Sequence, residues 1–105
     1  MTPLPGEVYL VDMGLAGKVR PVVIISRKDA GAPRALSVVV PLTTQSRGTR
    51  YEVQMPRVPW LRHQSFANVQ ALAAYGHHEL LEKRGNFETS VLARIKDAIR
   101  WALEL

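Results

Sequence analysis

The chain contains no cysteine. Disulfides and thiolate-bound metals are therefore excluded as the source of its stability. It has no apolar run near the roughly 18 residues that a membrane-spanning helix needs. Its first residues, MTPLPGEVYLVD, lack the basic start and small-residue cleavage site of a secretory signal. Together these absences lead us to expect a cytoplasmic protein. Histidine is scarce: His63 stands alone, while His77 and His78 are adjacent and point in different directions. With no clustered carboxylates beside them, they make no convincing ligand set, and no metal or other cofactor is expected. There is no glycine-rich phosphate loop ahead of a helix and no HExxH.

What is present is a small basic chain. Its 105 residues amount to one domain, residues 1–105, and a hydrophobic content of 47% makes it globular rather than disordered. Fourteen Lys and Arg face nine Asp and Glu, a formal net charge of +5. A surplus of that sign on so small a domain favours a polyanionic partner, nucleic acid first. Charge alone leaves that reading level with a basic domain that binds no nucleic acid.

Residues 5–12, PGEVYLVD, alternate after a turn and read as a strand, with Val8 and Leu10 on one face and Tyr9 and Val11 on the other. A loop with two glycines and a lysine, MGLAGKV (13–19), leads to the β-branched run RPVVIIS (20–26), a buried strand. LSVVVPL (36–42) is a third strand, whose Pro41 must sit at an edge or where pairing ends. TRYEVQM (49–55) alternates and is expected to pair after a turn at Gly48. PRVPWLRH (56–63) is irregular, and QSFANVQAL (64–72) is a weaker fifth strand. The period then changes. HHELLEKRG (77–85) reads as a short helix closed by Gly85, with Lys83 and Arg84 in its last turn. Residues 86–105 give the clearest helix, with Val91, Leu92, Ile95, Ala98, Ile99 and Ala102 in one stripe and Asn86 or a nearby hydroxyl as its cap. Strands followed by helices predict a small, curved antiparallel sheet or barrel covered by the C-terminal helix.

Two features carry possible chemistry. Arg20 opens an otherwise apolar strand, and Thr43 and Thr44 follow Pro41 at the exit of another. Each has an ordinary explanation: Arg20 can pair with Asp12, and threonines cap turns. Successive strands usually lie side by side, so Arg20 and Thr43 can also face one concavity. There a guanidinium and a hydroxyl would hold one phosphate, with Arg47 and Arg50 on a positive rim.

The succession GEVYLVD, RPVVIIS, VVVPLTTQSRGTRYEV and a C-terminal apolar helix resembles the MazF/PemK family of toxins of type II toxin–antitoxin modules, from about residue 5 to the C-terminus. The resemblance implies a mainly β fold with a C-terminal helix, a small SH3-like, partly open antiparallel barrel of the CcdB/PemK type, and a homodimer. It implies a metal-independent endoribonuclease that cuts single-stranded RNA at short sequences. In such cleavage the ribose 2′-OH attacks the adjacent phosphate, leaving a 2′,3′-cyclic phosphate and a 5′-OH. A cognate antitoxin blocks the RNA groove. Arg20 and Thr43 match the family's catalytic pair, and Lys18, Thr44, Gln45, Arg47, Arg50, Asn68 and Gln70 are the expected RNA contacts.

The chain also departs from the family pattern. The loop before Arg20 is short and carries no acid, which turns Lys18 toward the RNA. On the fifth strand, where many relatives carry an acid and a base, the matching residues are Ala67, Asn68, Val69 and Gln70. No general base is assigned by these positions. Histidine as a residue type is suited to general-base work, but nothing in the sequence sets His63, His77 or His78 near Arg20. The alternative from another class is a non-catalytic binding module of the same fold, directed at RNA, an antitoxin or gyrase. A third, bland possibility is that the histidines and Trp60 do nothing beyond packing, with Trp60 and Trp101 each covering a core edge or a dimer surface.

Overall fold

The computed structural model describes residues 2–14 and 18–105. The middle of the loop expected over 13–19, Leu15 to Gly17, lies outside the described residues. Three long strands form the centre: β1 (Glu7–Asp12), β2 (Val19–Ile24) and β3 (Leu36–Thr43). All three are antiparallel to their neighbours, with Val8 opposite Val23 and Val23 opposite Val40. Their β-branched residues suit a pleated surface covered on both sides. Val8, Val23 and Val40 belong to one buried cluster, and Tyr9, Val11, Val22, Ile24 and Val39 to another on the opposite face.

The short strands β4 (Glu52–Gln54), β5 (Phe66–Asn68) and β6 (Ala73–Gly76), and the longer edge strand β7 (Leu80–Asn86), complete the sheet. The order is β4-β5-β3-β2-β1-β7, with β6 beside β3, and the sheet does not close. TRYEVQM does turn at Gly48, whose φ is +69°, but β4 pairs with β5 rather than with β3. Glu52 lies opposite Asn68 and Val53 opposite Ala67, while β5 itself takes the place beside β3. Pro41 occupies the position where β3 changes partner, after Val39 has paired with Ala73 of β6 and before Leu42 pairs with Ala67 of β5. A residue without an N–H is well tolerated where a ladder is interrupted.

The expected helix over 77–85 is not formed. His77–Glu79 make one 3-10 turn, and Leu80–Asn86 are strand β7, antiparallel to β1. Residues of good helical propensity are overruled here by tertiary pairing, since so short a helix is marginal alone. Leu80 enters the cluster around Tyr9 and Val11. Lys83, instead of facing a helix terminus, meets Glu7 of β1 at 2.7 Å. Gly85 caps nothing: it lies opposite Val8, and the Trp60 ring packs against its backbone where any Cβ would stand.

The last helix, α1 (Thr89–Leu103), keeps the stripe read from the sequence. Val91, Leu92 and Ile95 are buried, with Ala98, Ile99 and Ala102 partly buried against the cluster containing Val8, Val40, Leu42 and Phe87. Its N-cap is Glu88 without a side-chain cap bond, and Asn86 is spent in β7. No helix among the described residues is long and apolar enough to cross a membrane.

Candidate active site

The β2–β3 ladder runs from Ile24 opposite Val39 to Val22 opposite Pro41. Beyond it the two strands part company. β2 stays with β1, where Arg20 lies opposite Val11. β3 follows β5, where Thr43 lies opposite Phe66. The register places Arg20 and Thr43 each two residues past the last pair, on the same side of their strands. Between the splayed ends opens a hollow of about 480 Å³ lined by Lys18, Arg20, Pro41, Leu42, Thr43, Thr44, Gln45 and Asn68.

A second hollow of about 510 Å³ adjoins the first, and Thr43, Gln45 and Asn68 line both. Its other walls are Arg47, Thr49, Tyr51, Glu52 and Gln70. The two form one groove across the exit of β3, with Thr43 at its middle. Its edge is positive at Lys18, Arg20 and Arg47.

Hydroxyls and amides shape this groove by turning the backbone. Thr43 Oγ1 accepts a bond from Gln45 N at 3.1 Å and donates a long one, 3.4 Å, to Gln45 O. Ser46 Oγ accepts from Gly48 N. Asn68 Oδ1 accepts from Gln70 N, capping the 3-10 turn Val69–Ala71. The ordinary role of these residues is therefore real, and it leaves the Asn68 amide N–H and the loosely held Thr43 proton for a ligand.

Glu52 was not singled out from sequence. Its carboxylate accepts from Thr49 N, Thr49 Oγ1 and Arg47 N, the last reaching both oxygens at 3.0–3.1 Å. The backbone bond from Thr49, followed by that from Arg47, holds its carboxyl below the usual glutamate range. Alternation in YEV signals the position: Tyr51 and Val53 turn toward the core cluster and Glu52 away from it.

The groove thus collects Lys18, Arg20, Thr43, Thr44, Gln45, Arg47, Asn68 and Gln70. Arg50 lines neither hollow; its guanidinium stacks over the Trp101 ring, 4.3 Å from the centroid. Arg20 forms no ion pair with Asp12 among the described residues, the latter accepting instead from Gly14 N. Ala67 is fully buried in the core. A side chain at that position points away from the groove, so the alanine removes no group from it; Asn68 is the β5 residue that faces the hollow. His63, His77 and His78 line neither hollow. Among the described residues, no three His, Asp or Glu side chains gather as a metal-binding group.

This groove at the splayed end of an open antiparallel sheet, covered behind by one helix, is the architecture of a known class of small toxins. The family model for PemK-like, MazF-like toxins of type II toxin–antitoxin systems matches residues 4–103, and the chain belongs to that family. Among solved structures it is similar to an endoribonuclease in complex with its cognate antitoxin from a mycobacterial species, with 29% identity, a TM-score of 0.84 and coverage of 98% of this chain and 96% of that one. A second mycobacterial endoribonuclease shares 28% identity with a TM-score of 0.83, over 100% of this chain and 94% of that one. The MazE–MazF complex of Deinococcus radiodurans, at 17% identity, has the same fold, with a TM-score of 0.83 over 100% of this chain and 98% of that one. A search of curated protein sequences finds no significant match.

Proposed function

We propose that this toxin is an endoribonuclease that cleaves single-stranded RNA at the groove between β2 and β3. The observation that carries the reading is that Arg20 and Thr43 open onto one hollow, beside Lys18, Gln45 and Asn68. Two mycobacterial relatives of nearly the same length are endoribonucleases.

The chemistry follows from the substrate. The ribose 2′-oxygen forms a bond to the adjacent phosphorus while the bond to the 5′-oxygen breaks. The 2′-OH loses its proton and the departing 5′-oxygen gains one, leaving a 2′,3′-cyclic phosphate and a 5′-OH. Negative charge builds on the non-bridging oxygens in between. Arg20 offers paired guanidinium N–H donors to those oxygens. Thr43 exchanges its long bond to Gln45 O for a stronger one to a charged oxygen. Donors aimed at developing charge are typically the largest single contribution to such a rate.

The nucleophile resides in the RNA itself, so the protein need supply only position, charge and a route for the proton. No carboxylate or imidazole lines the first hollow, and Leu15, Ala16 and Gly17 carry no titratable side chain. Glu52, in the second hollow, has its oxygens occupied and its basicity reduced. We assign proton removal to solvent hydroxide. The missing base is also what favours the second reading, a binding module of the same fold without cleavage. Lys18, Thr44, Gln45, Arg47, Asn68 and Gln70 take the flanking phosphates and base edges of an unstacked strand.

The proposed partners are single-stranded RNA, a cognate antitoxin covering the same groove, and a second copy of the chain. The deciding experiment incubates purified protein and an Arg20→Ala variant with a long unstructured RNA in EDTA, mapping cuts and their ends. Recurring short sites with cyclic phosphate ends, absent with Arg20→Ala, establish the enzyme. No cleavage by a folded protein establishes the binding module.

A further inference from the structure

We infer that Tyr51, Trp101 and Arg50 form a ledge on which a nucleobase of single-stranded RNA stacks as the strand leaves the second hollow; the inference rests on the reading of the groove as an RNA site. Tyr51 lines that hollow. Its ring meets the Trp101 indole edge to face, centroids 4.8 Å apart at 62°. The Arg50 guanidinium lies over the same indole at 4.3 Å. Arg47 and Tyr51 share the hollow, and Tyr51 links it by contact to Trp101 and Arg50 at the end of α1.

The two tryptophans differ in kind. Trp60 packs into the core, 5.0 Å from Phe87 and against Gly85. Trp101 is 37% exposed on the last turn of α1, where Ile99 and Ala102 already supply the inward side. An indole held upright by one aromatic ring, with a cation laid on its open face, offers a base a flat apolar surface and its phosphate a counter-charge. Sites for single strands combine these two elements: a positive track for the backbone and aromatic faces for successive bases. A base arriving over the indole moves the guanidinium sideways onto the connecting phosphate. The cation–π contact given up is weak at an exposed site. An acidic peptide would use Arg50 but has no comparable use for an edge-to-face aromatic pair beside a polar hollow, so RNA is the occupant the arrangement favours.

The test measures binding of labelled single-stranded RNA to the Arg20→Ala protein, which keeps the strand intact. One sequence is extended from either end, from about four to about twelve nucleotides. Affinity is expected to climb as one end becomes long enough to reach the ledge. Adding Trp101→Ala should remove roughly five- to tenfold of that gain. Arg50→Ala, at an exposed position away from the core, should act in the same direction and flatten the salt dependence; it answers the question should Trp101→Ala fail to fold. The same length dependence in all three proteins overturns the ledge. So does loss of antitoxin binding in Trp101→Ala with RNA binding unchanged, which would give the surface to the antitoxin. If neither the unaltered protein nor the Arg20→Ala protein binds an oligonucleotide of any length, the RNA reading of the whole groove falls, a result distinct from failure of the ledge alone.

Discussion

Arg20 and Thr43 stand across from each other at the point where β2 and β3 separate, each two residues beyond the Val22–Pro41 pair. Neither is needed to hold the strands together, since Arg20 is exposed and Thr43 pairs within the ladder to β5. Arg20→Ala should therefore change stability by no more than about 0.5 kcal/mol. It should lower the cleavage rate by about 10²- to 10³-fold, the usual effect of deleting a donor to developing charge. Thr43→Val, matching the shape without the hydroxyl, should fall into the same range, and Thr43→Ser should keep most activity. Rates on one defined RNA, with thermal melts alongside, check this; a Thr43→Val protein as fast as the parent would remove the hydroxyl from the mechanism.

Among the described residues, no carboxylate and no imidazole lines the hollow that holds Arg20. If hydroxide removes the 2′ proton, the logarithm of the rate should climb with a slope of about one through the neutral range, without a bell. A single-turnover pH profile measures this. A plateau or maximum near neutrality would point to a titrating base, and substitution of His63, His77 and His78 in turn would then show whether one of them supplies it.

Much of this arrangement is legible in the sequence because it depends on local signals. β-branched runs locate β2 and β3, and the 3.6 period locates α1. Arg20 and Thr43 can be placed at strand ends from those runs alone. The misread segments lack such signals. AAYG has weak strand preference, so β6 passes unnoticed. LLEKRG is built of helix formers, and only its pairing with β1 makes it a strand. Arg50 looks like a groove residue until its neighbour Tyr51 is seen to turn toward Trp101, a contact between distant parts of the chain.

Glu52 ties the turn that carries Arg47 by accepting from the backbone of Arg47 and Thr49. Glu52→Ala should loosen that turn, weakening RNA binding several-fold while leaving the rate at saturating RNA nearly unchanged. Glu52→Gln, which keeps one acceptor oxygen, should recover part of the loss. The separation of KM from kcat checks it, because general unfolding would lower the active fraction and hence kcat.

Glu7 is buried against β7, accepting from Leu4 N at 2.7 Å and from the Tyr9 hydroxyl, with Lys83 at 2.7 Å. Burial acts to raise its pKa, but the bonds from Leu4, Lys83 and Tyr9 outweigh it, and the carboxyl sits below the usual glutamate range. A group with a lowered folded pKa stabilises the protein in full above its ordinary value. That contribution is lost as the pH falls through the folded value. Acid melts should thus show a fall in stability that Glu7→Gln reduces. At neutral pH the same variant should cost about 1–3 kcal/mol, the range for breaking bonds to a buried charged group. Equal acid sensitivity in both proteins would rule Glu7 out as its source.

Gly85 lies in β7 opposite Val8, and an added Cβ would fall within 2.6 Å of Trp60 Cδ2. Trp60 has little freedom to move, since its ring also packs against Phe87 and the core. Gly85→Ala should therefore destabilise the fold by about 1–3 kcal/mol, as overpacking does, although alanine suits either a strand or a helix better than glycine. The sign is informative. Were Gly85 the end of a helix in an αL conformation, Ala would also be costly there, but Trp60→Ala would not relieve it. In the strand, the pair Gly85→Ala and Trp60→Ala should cost less than the sum of the two single changes, because removing the ring makes room for the methyl group. A double-mutant cycle by chemical denaturation measures the coupling, and strict additivity would mean that the ring does not rest on this glycine.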